Sequence, residues 1–116
     1  MKFEEMNLKP ELLRALHEMN INDATDIQEQ AIPQILNDPS AVVMAQAKTG
    51  SGKTLAFSIP IAETVDPQLK KVQAVVLVPT RELCKQVFDV IEDITKYNKL
   101  RAVEVYGGFR LNAKFP

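Results

Sequence analysis

The stretch Ala41-Val42-Val43-Met44-Ala45-Gln46-Ala47-Lys48-Thr49-Gly50-Ser51-Gly52-Lys53-Thr54 decides the fold. Its first five residues form a short continuous apolar run, which predicts a strand buried on both faces. A glycine turn follows, and then a helix from about Lys53 to Val65, bent by Pro60. Outward from there the alternation repeats. Asp66-Pro67 marks a turn, and Ala74-Val75-Val76-Leu77-Val78 reads as a second buried strand. Pro79 ends it, and Thr80 can cap a long helix whose apolar face is Leu83, Val87, Val90, Ile91 and Ile94. Ala102-Val103-Glu104-Val105-Tyr106 reads as a third strand, ending at Gly107-Gly108.

Upstream, Pro10 suits the first position of a helix carrying Leu12, Leu13, Leu16 and Met19 on one face. Thr25 and Gln28 have capping-box spacing for a second helix from Asp26, with Ile27, Ala31, Ile35 and Leu36 as its apolar residues. Pro33 implies a kink or a late first turn there. Strands alternating with crossover-length helices predict an α/β fold, a parallel sheet with helices on both faces. Ligands in such sheets sit at the carboxyl ends of the strands. The loops after Ala45, Val78 and Tyr106 all fall at that edge, so they are expected to form one working surface.

The glycine turn carries the chemistry. Glycines let successive N–H groups point at a common centre, and the following helix adds its own orphan N–H groups and positive dipole end. That is a polyanion site: Lys53 would bridge the β and γ phosphates of a nucleoside triphosphate, and Thr54 would offer a hydroxyl to Mg2+. The usual phosphate-loop pattern begins with glycine where this chain has Ala47.

That alanine sharpens the match. Residues 47–54, A-K-T-G-S-G-K-T, resemble motif I of the DEAD-box RNA helicases, which carries alanine there. Residues 20–28, N-I-N-D-A-T-D-I-Q, are similar to the family's Q motif, with Phe3 where an upstream aromatic belongs. Residues 79–83, P-T-R-E-L, match motif Ia, and Gly107-Gly108 match its double glycine. The resemblance implies a partial RecA-like P-loop NTPase domain that binds ATP and Mg2+. Residues 1–36 would be a Q-motif helical region and residues 37–116 an incomplete RecA-like domain, together one structural unit ending before the DEAD motif. Phe3, Thr25, Gln28, Ala47, Lys48, Thr49, Gly50, Ser51, Gly52, Lys53 and Thr54 would form the nucleotide site, with Gln28 reading adenine. Lys53 and Thr54 would carry the catalytic contribution. Pro79, Thr80, Arg81, Glu82, Gly107 and Gly108 would contact the RNA backbone without reading sequence.

The chain departs from the Q motif at Asn20-Ile21, where the family has Gly-aromatic, and at Ala24, where it has proline. With no aromatic to stack on adenine, weaker base affinity is expected. The 116 residues contain no D-E-A-D sequence. Hydrolysis also needs arginines, which that family takes from a second RecA-like domain. The expectation is therefore an ATP-binding N-terminal part of an RNA helicase, inactive alone, whose partners are RNA and the remainder of the helicase core. A non-catalytic nucleotide or RNA-binding module, or a decayed gene product, is the alternative. A different P-loop enzyme is disfavoured by P-T-R-E-L. A sheet without its neighbouring strands is expected to expose edges and apolar faces.

Composition excludes other classes. The net charge of −1 provides no general field for nucleic acid. One cysteine and one histidine exclude a disulfide framework and a structural metal site. Cys84 is read as a small core residue, His17 as a surface residue, and Glu92-Asp93 as a solvated helix face. No apolar run reaches the roughly 18–20 residues of a membrane span, and no signal pattern follows Met1, which sets the cytoplasm as the expected compartment.

Overall fold

The computed structural model describes residues 1–38, 40–46 and 52–105. A 3-10 turn over Phe3–Met6 precedes α1 (Pro10–Glu18), α2 (Asp26–Asn37), α3 (Lys53–Thr64) and α4 (Arg81–Ile94). Pro10 opens α1, where its missing N–H costs nothing. Asn20 then turns the chain at φ 59°, and the Ile21 N–H returns to the Leu16 carbonyl at 2.9 Å. Asparagine tolerates this left-handed conformation better than other residues with a side chain. The connection out of α1 is thereby fixed to its last turn.

Two helices run through their prolines. α2 continues past Pro33 and α3 past Pro60, so neither residue ends its helix. The buried face of α2 differs from the expected one. Gln28, Ala31 and Ile32 are buried, whereas Ile27, Ile35 and Leu36 are half-buried. Thr80 caps α4, its Oγ1 accepting from the Leu83 N–H at 3.1 Å. Val87 and Ile94 are the buried residues of α4.

One core joins these pieces. Phe3, Leu8, Leu12, Leu16, Ile32, Ile59, Ala62 and Ile94 form a single buried cluster. α2 packs on α3, α3 on α4, and α1 meets both α3 and α4. Polar contacts pin the ends. The Glu63 carboxylate, in the last turn of α3, accepts the Lys9 N–H at 2.7 and 3.1 Å and so caps α1. Burial pushes the Glu63 carboxyl above its ordinary value, with the Lys9 contact opposing the shift. His17 and the Glu92-Asp93 pair are exposed as expected, and Cys84 is half-buried rather than a core residue.

The three apolar runs depart from expectation. Among the described residues none of 41–45, 74–78 or 102–105 is paired as a strand, and the one isolated bridge is Lys2 with Asp23. Burial on both faces is not met either: Val42 is 93% exposed, Met44 97% and Leu77 90%. The physical reason is that an apolar run states a demand for burial. The neighbours that satisfy it are other strands, and a parallel strand takes every ladder hydrogen bond from them. Residue 106 of the third run lies outside the described residues.

Phe3→Ala should remove about 3–5 kcal/mol of stability, because it empties a fully buried ring site. Val42→Ser should change stability by about 0.5 kcal/mol or less, since the side chain is exposed. Urea unfolding followed by circular dichroism measures both.

Candidate functional site

The starts of α2 and α3 meet through Gln28. Its Oε1 accepts the Thr25 N–H at 2.9 Å, which closes the first turn of α2. Its Nε2 donates to the Gly52 carbonyl at 3.1 Å, at the N-cap of α3. Gln28 is only 2% exposed. A buried amide needs partners for both ends, and here each end has one. The side chain is therefore turned into the protein, as a brace between two helix N-termini.

Gly52 is tied to this brace. It sits at φ +90°, in the left-handed region that favours glycine. A Cβ there would lie 2.4 Å from Gln28 Nε2 and 2.9 Å from Thr25 Oγ1. Conformation and space both demand glycine at this position. Because Gly52 has no side chain, it supplies no cap to α3, and no acidic residue occupies the first turn of that helix. Among the described residues no side-chain cap closes the first turn of α3, which carries the positive end of the helix dipole. Lys53 is exposed there and Thr54 half-buried. Ala47, Lys48, Thr49, Gly50 and Ser51 lie outside the described residues, as do Gly107 and Gly108.

Beside the start of α2 is an open cleft lined by Thr25, Asp26, Ile27, Gln30, Met44, Ala45 and Gln46. The run leading into the glycine loop thus passes the first turn of α2. Phe3 does not face a cleft: it is 1% exposed and packs in the core, while its N–H donates to the Asn22 carbonyl at 3.0 Å. The Ala24 N–H donates to the Met1 carbonyl at 2.9 Å, a bond that proline at this position could not make. Residues 1–3 and 22–24 are therefore laced together directly before Thr25. Pro79, Thr80, Arg81 and Glu82 are all exposed at the start of α4.

The sequence pairs Thr25 with Gln28 and marks Gly52 separately, in the glycine turn. The capping-box contact of Thr25 with Gln28 was expected and is present, whereas the contacts of both with Gly52, and the main-chain roles of Asn22 and Ala24, carry no sequence signal. Among the described residues no group of three or more acidic, histidine or cysteine side chains could hold a metal ion. No helix there is long and apolar enough to cross a membrane.

Comparison with known proteins places this geometry in a family. The DEAD/DEAH box helicase model matches residues 25–115. The chain is 42% identical over 98 residues to the ATP-dependent RNA helicase DBP5 of Lodderomyces elongisporus, covering 84% of this chain and 19% of that protein. It is 44% identical over 108 residues to a probable ATP-dependent RNA helicase of Methanocaldococcus jannaschii, covering 93% of this chain and 29% of that protein. The structure of S. cerevisiae Dbp5 bound to RNA and ADP BeF3 superposes with a TM-score of 0.83 at 33% identity, over 97% of this chain and 30% of that one. The chain belongs to the DEAD/DEAH box helicase family, and its α/β fold is that of a partial RecA-like domain. It spans about a fifth to three tenths of the length of these relatives.

Gly52→Ala should destabilise the protein by about 1–3 kcal/mol, because a side chain there meets both a strained φ and the Gln28 amide. In a Gln28→Ala background the same change should cost less, since the nearest obstacle is gone while the strained φ and Thr25 Oγ1 remain. Denaturant midpoints of the two single variants and the double variant read this coupling.

Proposed function

We propose that this chain is the ATP-binding N-terminal part of an ATP-dependent RNA helicase. The observation that carries the reading is the Gln28 brace to Gly52. It puts the Q-motif glutamine on the residue that opens the phosphate-loop helix. In this reading Gly50, Ser51 and Gly52 present main-chain N–H groups to the phosphates, together with the first turn of α3. Lys53 places its ammonium on the β and γ phosphates.

Mg2+ would neutralise phosphate charge at this site. Thr54 fits as one hydroxyl ligand in the first turn of α3. With no acidic cluster among the described residues, phosphate oxygens and water would complete the shell, as is usual for this ion. Adenine would lie by the Thr25 end of α2, and Gln28 would exchange part of its internal hydrogen bonding for the base edge. Phe3 would contribute indirectly, through its core ring and its N–H bond to the Asn22 carbonyl ahead of Thr25.

RNA would be held through its sugar-phosphate backbone by Thr80, Arg81 and the start of α4, with Gly107 and Gly108 close to the strand. Pro79 and Glu82 flank that contact. Backbone contacts carry no base identity, so binding would be independent of sequence. The parent enzyme would couple ATP turnover to strand separation. The 116-residue chain has no D-E-A-D carboxylates, so it would bind ATP without turning it over.

Titrating ATP–Mg2+ into the purified chain tests this by calorimetry. Binding should weaken at least ten-fold in Lys53→Ala, and Gln28→Ala should narrow the preference for ATP over GTP. Phosphate release should stay at background with and without RNA. Equal affinity for GTP and ATP in the wild type would remove the role given to Gln28. RNA-stimulated hydrolysis lost in Lys53→Ala would overturn the inactivity of the chain.

A further inference from the structure

A second polar assembly lies away from the site just described, where the far end of α4 meets the far end of α1. Tyr97 follows α4 by three residues. Its hydroxyl donates to Glu18 Oε1 at 2.6 Å and also contacts Oε2. Lys96 Nζ lies 3.3 Å from the same carboxylate. The Arg14 guanidinium stacks over the Tyr97 ring, 4.1 Å from its centroid. Single exposed ion pairs hold little, because water screens them. Here a phenol, an ammonium and a guanidinium converge on one carboxylate and one ring, so each group restrains the others. The Tyr97 hydroxyl, followed by Lys96, holds the Glu18 carboxyl below its ordinary value despite some desolvation.

The elements this clamp joins matter more than its strength. Glu18 is the last residue of α1, and the chain turns at Asn20 straight into residues 22–24 and then Thr25. That connection is fixed to α1 by the Ile21 N–H to Leu16 carbonyl bond. On the other side, Ile94 of α4 is fully buried in the core with Leu12 and Leu16 of α1. Asn98 Nδ2 also reaches the Ala62 carbonyl of α3 at 3.4 Å. A shift of α4 along its axis has a short mechanical route to Thr25 and Gln28.

We propose that Arg14, Glu18, Lys96 and Tyr97 form a clamp transmitting the position of α4 to the 20–25 connection, and so couple the RNA-facing helix to the nucleotide-facing one. The coupling half rests on the function proposed above. The mechanical half rests on the contacts alone. These four are positioning residues, and none touches a ligand.

Amide hydrogen exchange on the full chain separates the two halves. Without ligand, Tyr97→Phe and Glu18→Gln should each raise exchange in residues 20–25 by about three-fold or more, while core amides around Ile59 stay unchanged. Tyr97→Phe keeps the ring against Arg14, and Glu18→Gln keeps an acceptor, so both variants should retain the fold, checked by thermal melting. Adding a single-stranded oligouridylate should slow exchange in residues 20–25 of the wild type and not in the variants, with RNA affinity matched within about two-fold. Unchanged ligand-free exchange in both variants overturns the clamp. RNA binding that protects residues 20–25 equally in wild type and variants, or not at all in wild type, overturns the coupling. Failure of the oligouridylate to bind refutes the RNA reading instead and leaves the ligand-free comparison decisive for the clamp.

Discussion

A single side-chain amide joins the starts of α2 and α3. Gln28 is buried between the Thr25 N–H and the Gly52 carbonyl, one bond closing the first turn of α2 and the other reaching the N-cap of α3. The brace also requires glycine at position 52, because any side chain there would displace the amide. The uncapped first turn of α3, with Lys53 and Thr54, then starts from a fixed point. Breaking the brace would leave a buried polar group unmatched, at a cost of about 1–3 kcal/mol in this family of effects.

The rest of the molecule holds that brace still. Phe3, Leu12, Leu16, Ile32, Ile59 and Ile94 bring all four helices onto one core. The main-chain lacing of residues 1–3 to residues 22–24 fixes the approach to Thr25. Glu63 caps α1 from the far end of α3, so α3 is secured at both ends.

The helices were legible in the sequence because helix signals are local. Pro10, the Thr25–Gln28 spacing and Thr80 each mark a boundary within a turn or two, and all three boundaries hold. The buried face of α2 was less legible. Gln28, expected to cap the helix and read adenine, is buried, whereas Ile35 and Leu36 looked like core and are half-buried. Which face a helix buries depends on its neighbour, and α3 is that neighbour. The apolar runs at 41–45 and 74–78 were legible as segments needing burial. Exposed apolar faces were expected of a sheet without its neighbouring strands, but which residues would show them was not legible, because pairing is non-local and no residue within a run encodes its partner. The family was legible through the glycine-lysine-threonine turn and the motifs that resemble it. The contact between Gln28 and Gly52, 24 positions apart, was not.

The central claim is that the Gln28–Gly52 brace is part of the nucleotide site. The most direct measurement is nitrogen-15 NMR of the Gln28 side-chain amide, assigned by its loss in Gln28→Glu, as ATP–Mg2+ is added. The account predicts that this resonance and the Gly52 main-chain amide shift together and saturate at the same ATP concentration. Saturable ATP binding that leaves both resonances unmoved would contradict it.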